Sequence, residues 1–334
     1  MTKRICLIAF GVVVLFLTFS PASKAQTTNP CMATQTWWWP DPVPFGWFYA
    51  NSYPGTYVYL IGTMTPSCTP PCNCPPSAGT AHKPISLASG DTYIEQTDVR
   101  IPGLGGGINL DRTWNSMWPS VLAAHSSGIF GPYWRSTYEE QIIMGGDNYL
   151  RYLRGDGTVW VFGWGPGYFV VSAPANISAK LVQTASNLVL TFQNGEQRQF
   201  SVNTGLLTAI IDRNGNTTQL AYDSSNRLTT VTSPASQHLY FNYQSGSSNL
   251  IASVTSDFGV TLSYSYDAQG RLSQVTRPDQ STVSFTYNTQ SQITQVTDSN
   301  GKVLESHTYD SSGRGLTASQ ANGVNAVSVI YPPQ

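Results

Sequence analysis

The sequence predicts an all-β protein in which antiparallel β-hairpin repeats form a curved, open ribbon preceded by a β-rich domain. Three observations carry that expectation. Aromatic residues recur at Phe200, Tyr222, Tyr243, Tyr266, Tyr287, Tyr309 and Tyr331, separated by 22, 21, 23, 21, 22 and 22 residues. So steady a period marks a chain of units, each of which needs its neighbours to bury a face. Stretches such as "VSFTY" and "LSYSY" alternate apolar and polar residues, the period of two that a half-buried strand requires. Charged residues make up only 10% of the 334, against roughly 25% in an average soluble domain. Gly, Pro, Tyr, Trp, Ser and Thr take their place, and helix-forming stretches with a 3.6 period are missing beyond the N-terminus. With a net charge of -1 and no basic block, the chain lacks the electrostatic footprint of a nucleic-acid binder.

The N-terminus reads as an address. Lys3 and Arg4 precede an apolar run from Ile5 to Phe19, and Ser23-Lys24-Ala25 supplies small residues at the cleavage positions, the pattern of a signal peptide cut after Ala25. The alternative is an uncleaved anchor, although the run is short for a membrane span. After cleavage the expected product is soluble, outside the cytoplasm (secreted or in the cell envelope), with no membrane attachment.

Residues 26–82 contain ten prolines among short aromatic patches, which forbids helix and interrupts any sheet ladder. Four cysteines remain after cleavage, Cys31, Cys68, Cys72 and Cys74. An even count in an exported chain suggests two disulfides, and four cysteines allow three pairings. Zinc is the sharper and weaker reading of "CTPPCNC", because the spacing is not a CxxC pair and only His82 stands nearby. Trp37-Trp38-Trp39 raises the question of carbohydrate, since aromatic faces stack on sugar rings and exposed aromatics mark binding surfaces; packing against a neighbouring domain is the plainer explanation. All nine tryptophans lie before the tyrosine ladder.

Residues 83–175 alternate in "DTYIEQTDV" and "INLDRTW" with glycine turns between, the pattern of antiparallel strands. From residue 176 to 334 the repeats follow. Val283, Phe285 and Tyr287 share one face of a strand, as do Leu262, Tyr264 and Tyr266. Each strand ends in Asp-x-x-Gly or a relaxed form: Asp267 to Gly270, Asp310 to Gly313, Asp223 to Asn226, Asn288 to Ser291. Asp or Asn opens such a turn by hydrogen-bonding the backbone two residues on, and Gly or Asn accepts a positive φ near its end. A second turn, such as Asp212 to Gly215 or Arg277 to Gln280, returns the chain to the next strand. Two strands of about six residues plus two turns make up the period. Leu272 and Val275 have opposite parity, so both can face one core only across a bulge or a break in pairing.

Tyr266 to Thr276, "YDAQGRLSQVT", carries the consensus Tyr-Asp-x-x-Gly-Arg-Leu-x-x-Val-Thr, with Asp267, Gly270 and Arg271 in place. Tyr222 to Thr232 carries it with Asp223, Arg227 and Asn226 for Gly; Tyr309, Asp310 and Gly313 begin a third copy in which Gly315 displaces the Leu; Tyr243 and Tyr287 head copies without the Arg. Upstream stand "PISLASGDTYIEQTDVRIPG" and "INLDRTWNS", with Thr97-Asp98, Arg112 to Ser116 and Trp134. Together these resemble the RHS/YD-repeat proteins and the domain that precedes their repeats, over roughly residues 83 to 334; Tyr133 departs from the usual Gly before the Trp. The resemblance implies a ribbon of hairpins wound in a spiral, which closes into a hollow shell in complete members such as polymorphic toxins and teneurins. About six units are too few to close such a shell, and nothing matches the self-cleaving core segment of the toxins. Pro332-Pro333, where the next Asp-x-x-Gly is due, reads as a capped edge or a broken frame.

No chemistry stands out. His82, His125, His238 and His307 occur singly, so spacing proposes no metal. "GLGGG" at 103–107 lacks a dinucleotide fingerprint, and no nucleophile elbow or P-loop appears. Arg154-Gly155-Asp156-Gly157 reads as a hairpin turn rather than an adhesion tripeptide, and Asp212 to Asn216 lacks the Glu of a calcium loop. Asp267 and Arg271 recur once per unit, which fits a turn cap and not a single active site. The expectation is therefore a non-enzymatic, secreted structural or surface-interaction protein without cofactor. A glycan partner through the aromatics or a section of a toxin-delivery shell is the alternative, and an open repeat edge favours self-association.

Overall fold

The computed structural model describes Cys6–Ala9, Val12–Leu15, Thr80–Ala81 and residues 85–331 except 88, 145–148, 166, 175–176 and 247. The cleavage position at Ala25, the four cysteines, Trp37 to Trp39, His82 and Pro332-Pro333 lie outside the described residues. Cys6–Ala9 and Val12–Leu15 pair as a short antiparallel hairpin.

One sheet dominates. Nineteen antiparallel strands, from Gln141–Met144 to Val327–Ser328, follow one another in chain order with no crossover. Such a meander needs only short turns, and the Asp-, Asn-, Ser- and Gly-rich segments between strands supply them. The order is linear, so the ribbon is open, as the sequence predicts. At its start, however, the ribbon folds back on itself: the Ile142 amide donates to the Gly205 carbonyl (2.8 Å), and Gln141 bridges Leu206. Aromatic rings fill this curl, with Tyr152 5.5 Å from Trp160 and 5.7 Å from Phe200, and Trp160 5.8 Å from Phe192, all edge to face.

The ribbon takes in strands on both sides of residues 175/176. Tyr168–Ala173 pairs with Ala179–Gln183 through Phe169↔Leu181 and Val170↔Lys180, so strands from Gln141 onward belong to the same ladder as the repeats. A ladder is made by backbone groups, and it runs through stretches that lack the repeat motif as readily as through those that carry it. A second sheet, Tyr93–Ile101, Ile108–Asn115 and Trp134–Ser136, lies against the buried face of the ribbon, and one apolar cluster runs from Ile94 to Val296 through both.

Parity is resolved by a bulge in every unit. Ser265 pairs with Gln274 while Tyr266 pairs with Leu272, leaving Ser273 as the extra residue; Leu272 and Val275 are then both fully buried. The same shift leaves out one residue opposite Phe200, Tyr222, Tyr243, Tyr287 and Tyr309. Where the extra residue is threonine, its hydroxyl donates across the pair: Thr208 to Gln199 O, Thr229 to Ala221 O and Thr294 to Thr286 O, at 3.1, 3.1 and 3.2 Å.

Candidate functional site

Two sets of side chains organise the molecule, one inside each repeat and one between the repeats and the preceding domain. Within the repeat, Asp267 is the centre of its turn. Its Oδ1 accepts the amides of Gln269 (3.0 Å) and Arg271 (2.9 Å), and its Oδ2 accepts Arg271 Nε at 2.6 Å. Asp223 with Arg227 and Asp310 with Arg314 repeat this geometry, and Asn288 with Gln292 reproduces it without charge. The hydrogen bonds from the Arg227 backbone and side chain hold the Asp223 carboxyl below its ordinary range. Position four of each turn has φ > 0: Gly270 at 74°, Gly313 at 85°, Asn226 at 61° and Ser291 at 63°.

Each arginine then reaches forward one unit. The Arg227 guanidinium lies 4.7 Å from the Tyr243 ring centre, Arg271 4.6 Å from Tyr287, and Arg314 4.1 Å from Tyr331, cation-π distances. Each tyrosine hydroxyl reaches back, donating to the carbonyl at the bulge of the unit before: Tyr222 to Leu207 (2.6 Å), Tyr243 to Leu228 (3.0 Å), Tyr266 to Ile251 (2.9 Å), Tyr287 to Leu272 (2.8 Å), Tyr309 to Ile293 (2.7 Å) and Tyr331 to Gly315 (2.8 Å). Burial pushes the phenols of Tyr222, Tyr243, Tyr266 and Tyr287 above their ordinary range, which keeps them as donors. The residues singled out by sequence thus meet in a spine of recurring links, the tyrosine hydroxyl in six copies and the arginine on the next ring in three.

The second set lies where the preceding domain meets the ribbon. Arg112 and Asp98 form a buried, two-pronged ion pair (Nε to Oδ2 2.5 Å, Nη2 to Oδ1 2.8 Å). Tyr264 of the repeats donates its hydroxyl to the same Asp98 Oδ2 at 2.6 Å. Rings of Trp134, Phe130 and Tyr264 surround the guanidinium at 4.8, 5.4 and 5.5 Å. Burial opposes the charge on Arg112, but Asp98 more than offsets that and leaves its pKa raised. Beside it, Trp134 stands edge-on to Phe285 at 5.2 Å and its indole N–H reaches the Tyr287 hydroxyl at 3.4 Å. Asp98 and Arg112 stand in the sequence motifs upstream of the repeats, but their partner in Tyr264, 166 positions from Asp98, has no local signal.

Further buried acidic groups brace the domain and the start of the ribbon. Asp91 accepts the Met117 amide (3.0 Å) and the Ser116 hydroxyl (3.2 Å), and burial pushes its carboxyl up to about 8. Glu139 accepts the Ile129 amide (2.7 Å) and the Ser136 hydroxyl (2.8 Å), while Glu140 takes Arg198 (3.2 Å) and Tyr152 (2.6 Å). A crevice of about 390 Å³ opens between this region and Tyr222 to Leu228, with Arg135, Glu139 and Arg227 in its walls. His238 pairs with Asp257 on the exposed face (2.7 Å), and His307 is buried opposite Ala318. Among the described residues no three His, Cys, Asp or Glu side chains gather as a metal set, and no helix is long and apolar enough to cross a membrane. Arg154 to Gly157 closes the hairpin between Leu150–Leu153 and Val159–Gly165, with the Arg154 amide on the Thr158 carbonyl at 2.9 Å.

A meander of bulged hairpins linked through tyrosine, aspartate and arginine defines an antiparallel β-repeat protein. Residues 203–238, 247–282 and 266–306 match the family described as RHS Repeat, and residues 82–162 match a domain of unknown function, DUF6531. The chain belongs to the RHS/YD-repeat family and carries this domain ahead of its repeats. Similar curated proteins include the tRNA nuclease WapA of Bacillus subtilis (strain 168) and the tRNA3(Ser)-specific nuclease WapA of Bacillus spizizenii, each 26% identical over 145 residues. The match covers 43% of this chain and 6% of either relative. Among solved structures, TcdB2-TccC3-TEV is 12% identical with a TM-score of 0.29, covering 72% of this chain and 16% of that one. TcdB2-TccC3 is 16% identical with a TM-score of 0.27, covering 70% and 12%.

Proposed function

We propose that this chain is a secreted, non-enzymatic scaffold whose work is done by a surface. One observation carries the reading: the recurring charged residues are spent on links between units, Asp to Arg within a turn and Arg to the next tyrosine. What faces outward instead is a wall of small polar groups. From Thr261 to Ser319 the side chains opposite the buried face include Thr261, Ser263, Ser265, Ser284, Thr286, Thr308 and Thr317, several hydrogen-bonded to one another, as in Ser306 to Ser319 at 2.7 Å and Gln274 to Ser284 at 3.2 Å. A hydroxyl face of this kind presents donors and acceptors without selecting for charge.

The test is turnover. Purified protein incubated with peptides, polysaccharides and tRNA is expected to leave all three intact; hydrolysis that disappears with one point substitution overturns the proposal. The tRNA arm addresses the WapA relatives, whose matched stretch is a small part of their length. A glycan partner is the second reading, favoured by Trp164, 43% exposed and edge-on to Phe169, and by Tyr240, 39% exposed and stacked on His238. Binding on a glycan array that is lost in Trp164→Ala or Tyr240→Ala supports it, and silence of the array removes it.

A further inference from the structure

We propose that the domain over residues 85–138 docks on one particular set of repeats, reading the inner residue two before each ladder tyrosine and taking its register from Gly315. The inner residues differ from unit to unit, and each meets a different partner. Phe241 faces Tyr138 at 6.3 Å, Tyr264 faces Phe130 at 4.9 Å and hydrogen-bonds Asp98, and Phe285 faces Trp134 at 5.2 Å. Backbones join the match: the Ile251 amide donates to the Ile129 carbonyl at 2.9 Å, and the Gly315 amide to the Gly90 carbonyl at 2.8 Å.

Gly315 is the position that makes the register unique. In the other units the slot paired with the ladder aromatic holds Leu207, Leu228, Ile251, Leu272 or Ile293; opposite Tyr309 it holds Gly315. A Cβ there would stand 2.3 Å from Thr92 Oγ1 and 3.1 Å from two side-chain carbons of Ile85. The contact is reciprocal, since a Cβ on Gly90, at φ 79°, would stand 2.7 Å from the Arg314 Cβ. Sliding the domain one unit toward the start of the ribbon places Ile293 against Thr92 and Ile85. A one-unit slide in either direction moves Tyr264 away from Asp98. Phe285 or Phe241 would replace it, leaving Asp98 Oδ2 with Arg112 Nε as its remaining partner, and a buried carboxylate that gives up a charge-assisted hydrogen bond is costly. The departure of this copy from the repeat consensus is thus the footprint of the docked domain. The inference concerns the inner face and stands apart from whatever the outer face binds.

Gly315→Leu separates this from the plainer view that the third copy has simply drifted. Restoring a consensus residue to a repeat ordinarily stabilises it or leaves it unchanged. Docking predicts the reverse: in the full chain, amide exchange over residues 85–92 accelerates by about tenfold or more and the urea midpoint falls. Unchanged exchange there with an equal or higher midpoint overturns the proposal. Should Gly315→Leu fail to fold, the composition-neutral swap Tyr264→Phe with Phe285→Tyr decides. Faster exchange in 93–101 and 108–115 supports the register reading, and wild-type protection in both strands refutes it.

Discussion

Removing single hydroxyls from the tyrosine spine tests the link between units. In Tyr266→Phe the ring and its packing stay, and the loss is one hydrogen bond, to the buried Ile251 carbonyl at 2.9 Å. A neutral hydrogen bond contributes about 1 kcal/mol net, and a buried carbonyl left without its partner raises the cost toward about 2 kcal/mol. Tyr287→Phe loses more, because the hydroxyl both donates to Leu272 at 2.8 Å and receives the Trp134 indole N–H at 3.4 Å; the expectation is ~2–3 kcal/mol. With a urea slope of about 3 kcal/mol/M, these are midpoint shifts of roughly 0.3–1 M at unchanged slope. Tyr240→Phe is the control: its ring lies on the exposed face, and a surface change of this kind stays within about 0.5 kcal/mol. Urea unfolding followed by tryptophan fluorescence reads all three, since every tryptophan lies outside the repeats and Trp134 sits against one of the mutated residues. If Tyr266→Phe and Tyr287→Phe both unfold with the control, the hydroxyls do not hold the units together and the spine is packing alone.

Two further outcomes are expected. Ser291 holds φ 63° at a turn position where Gly270 and Gly313 stand in other units, so Ser291→Gly removes left-handed strain and should raise stability by about 0.5–1 kcal/mol in the same unfolding assay. Asp91 keeps its proton in the folded state up to about 8, whereas the unfolded carboxyl releases it near 4. Between those pH values the native state binds the extra proton, so its stability is fullest below the unfolded pKa and declines as pH rises toward 8. Asp91→Asn should flatten that decline, and thermal melts at pH 5 and pH 8 on both proteins show it; parallel melting curves would mean the carboxyl is ionised in its pocket.

Much of the repeat was legible because its determinants are local. Period-two alternation through Val283, Phe285 and Tyr287 gives a strand, and Asp267 to Arg271 contains both the acceptor and the donors of its own turn within five positions. Even the bulge is signalled by the opposite parity of Leu272 and Val275, which fits lost pairing equally well; the register of Tyr266 opposite Leu272 selects the bulge. The forward reach of Arg271 to Tyr287 is a short step further, since it joins the same positions of neighbouring units.

The limits of the sequence appear where contacts are long. The start of the sheet at Gln141 carries no repeat motif, and its strands join the ladder through backbone groups that every residue shares. Tyr264 has the same alternation as Phe241 and Phe285, yet it alone among the three offers a hydroxyl to Asp98. Gly315, which displaces the Leu of the third copy, is the point where Thr92 and Ile85 press on the ribbon. Sequence by itself determined the unit, its turns and its buried face, because strand parity and turn hydrogen bonds are closed within about 22 residues. Which units the preceding domain covers was decided only by tertiary structure, because complementarity between two surfaces depends on side chains far apart in the chain that no local periodicity brings together.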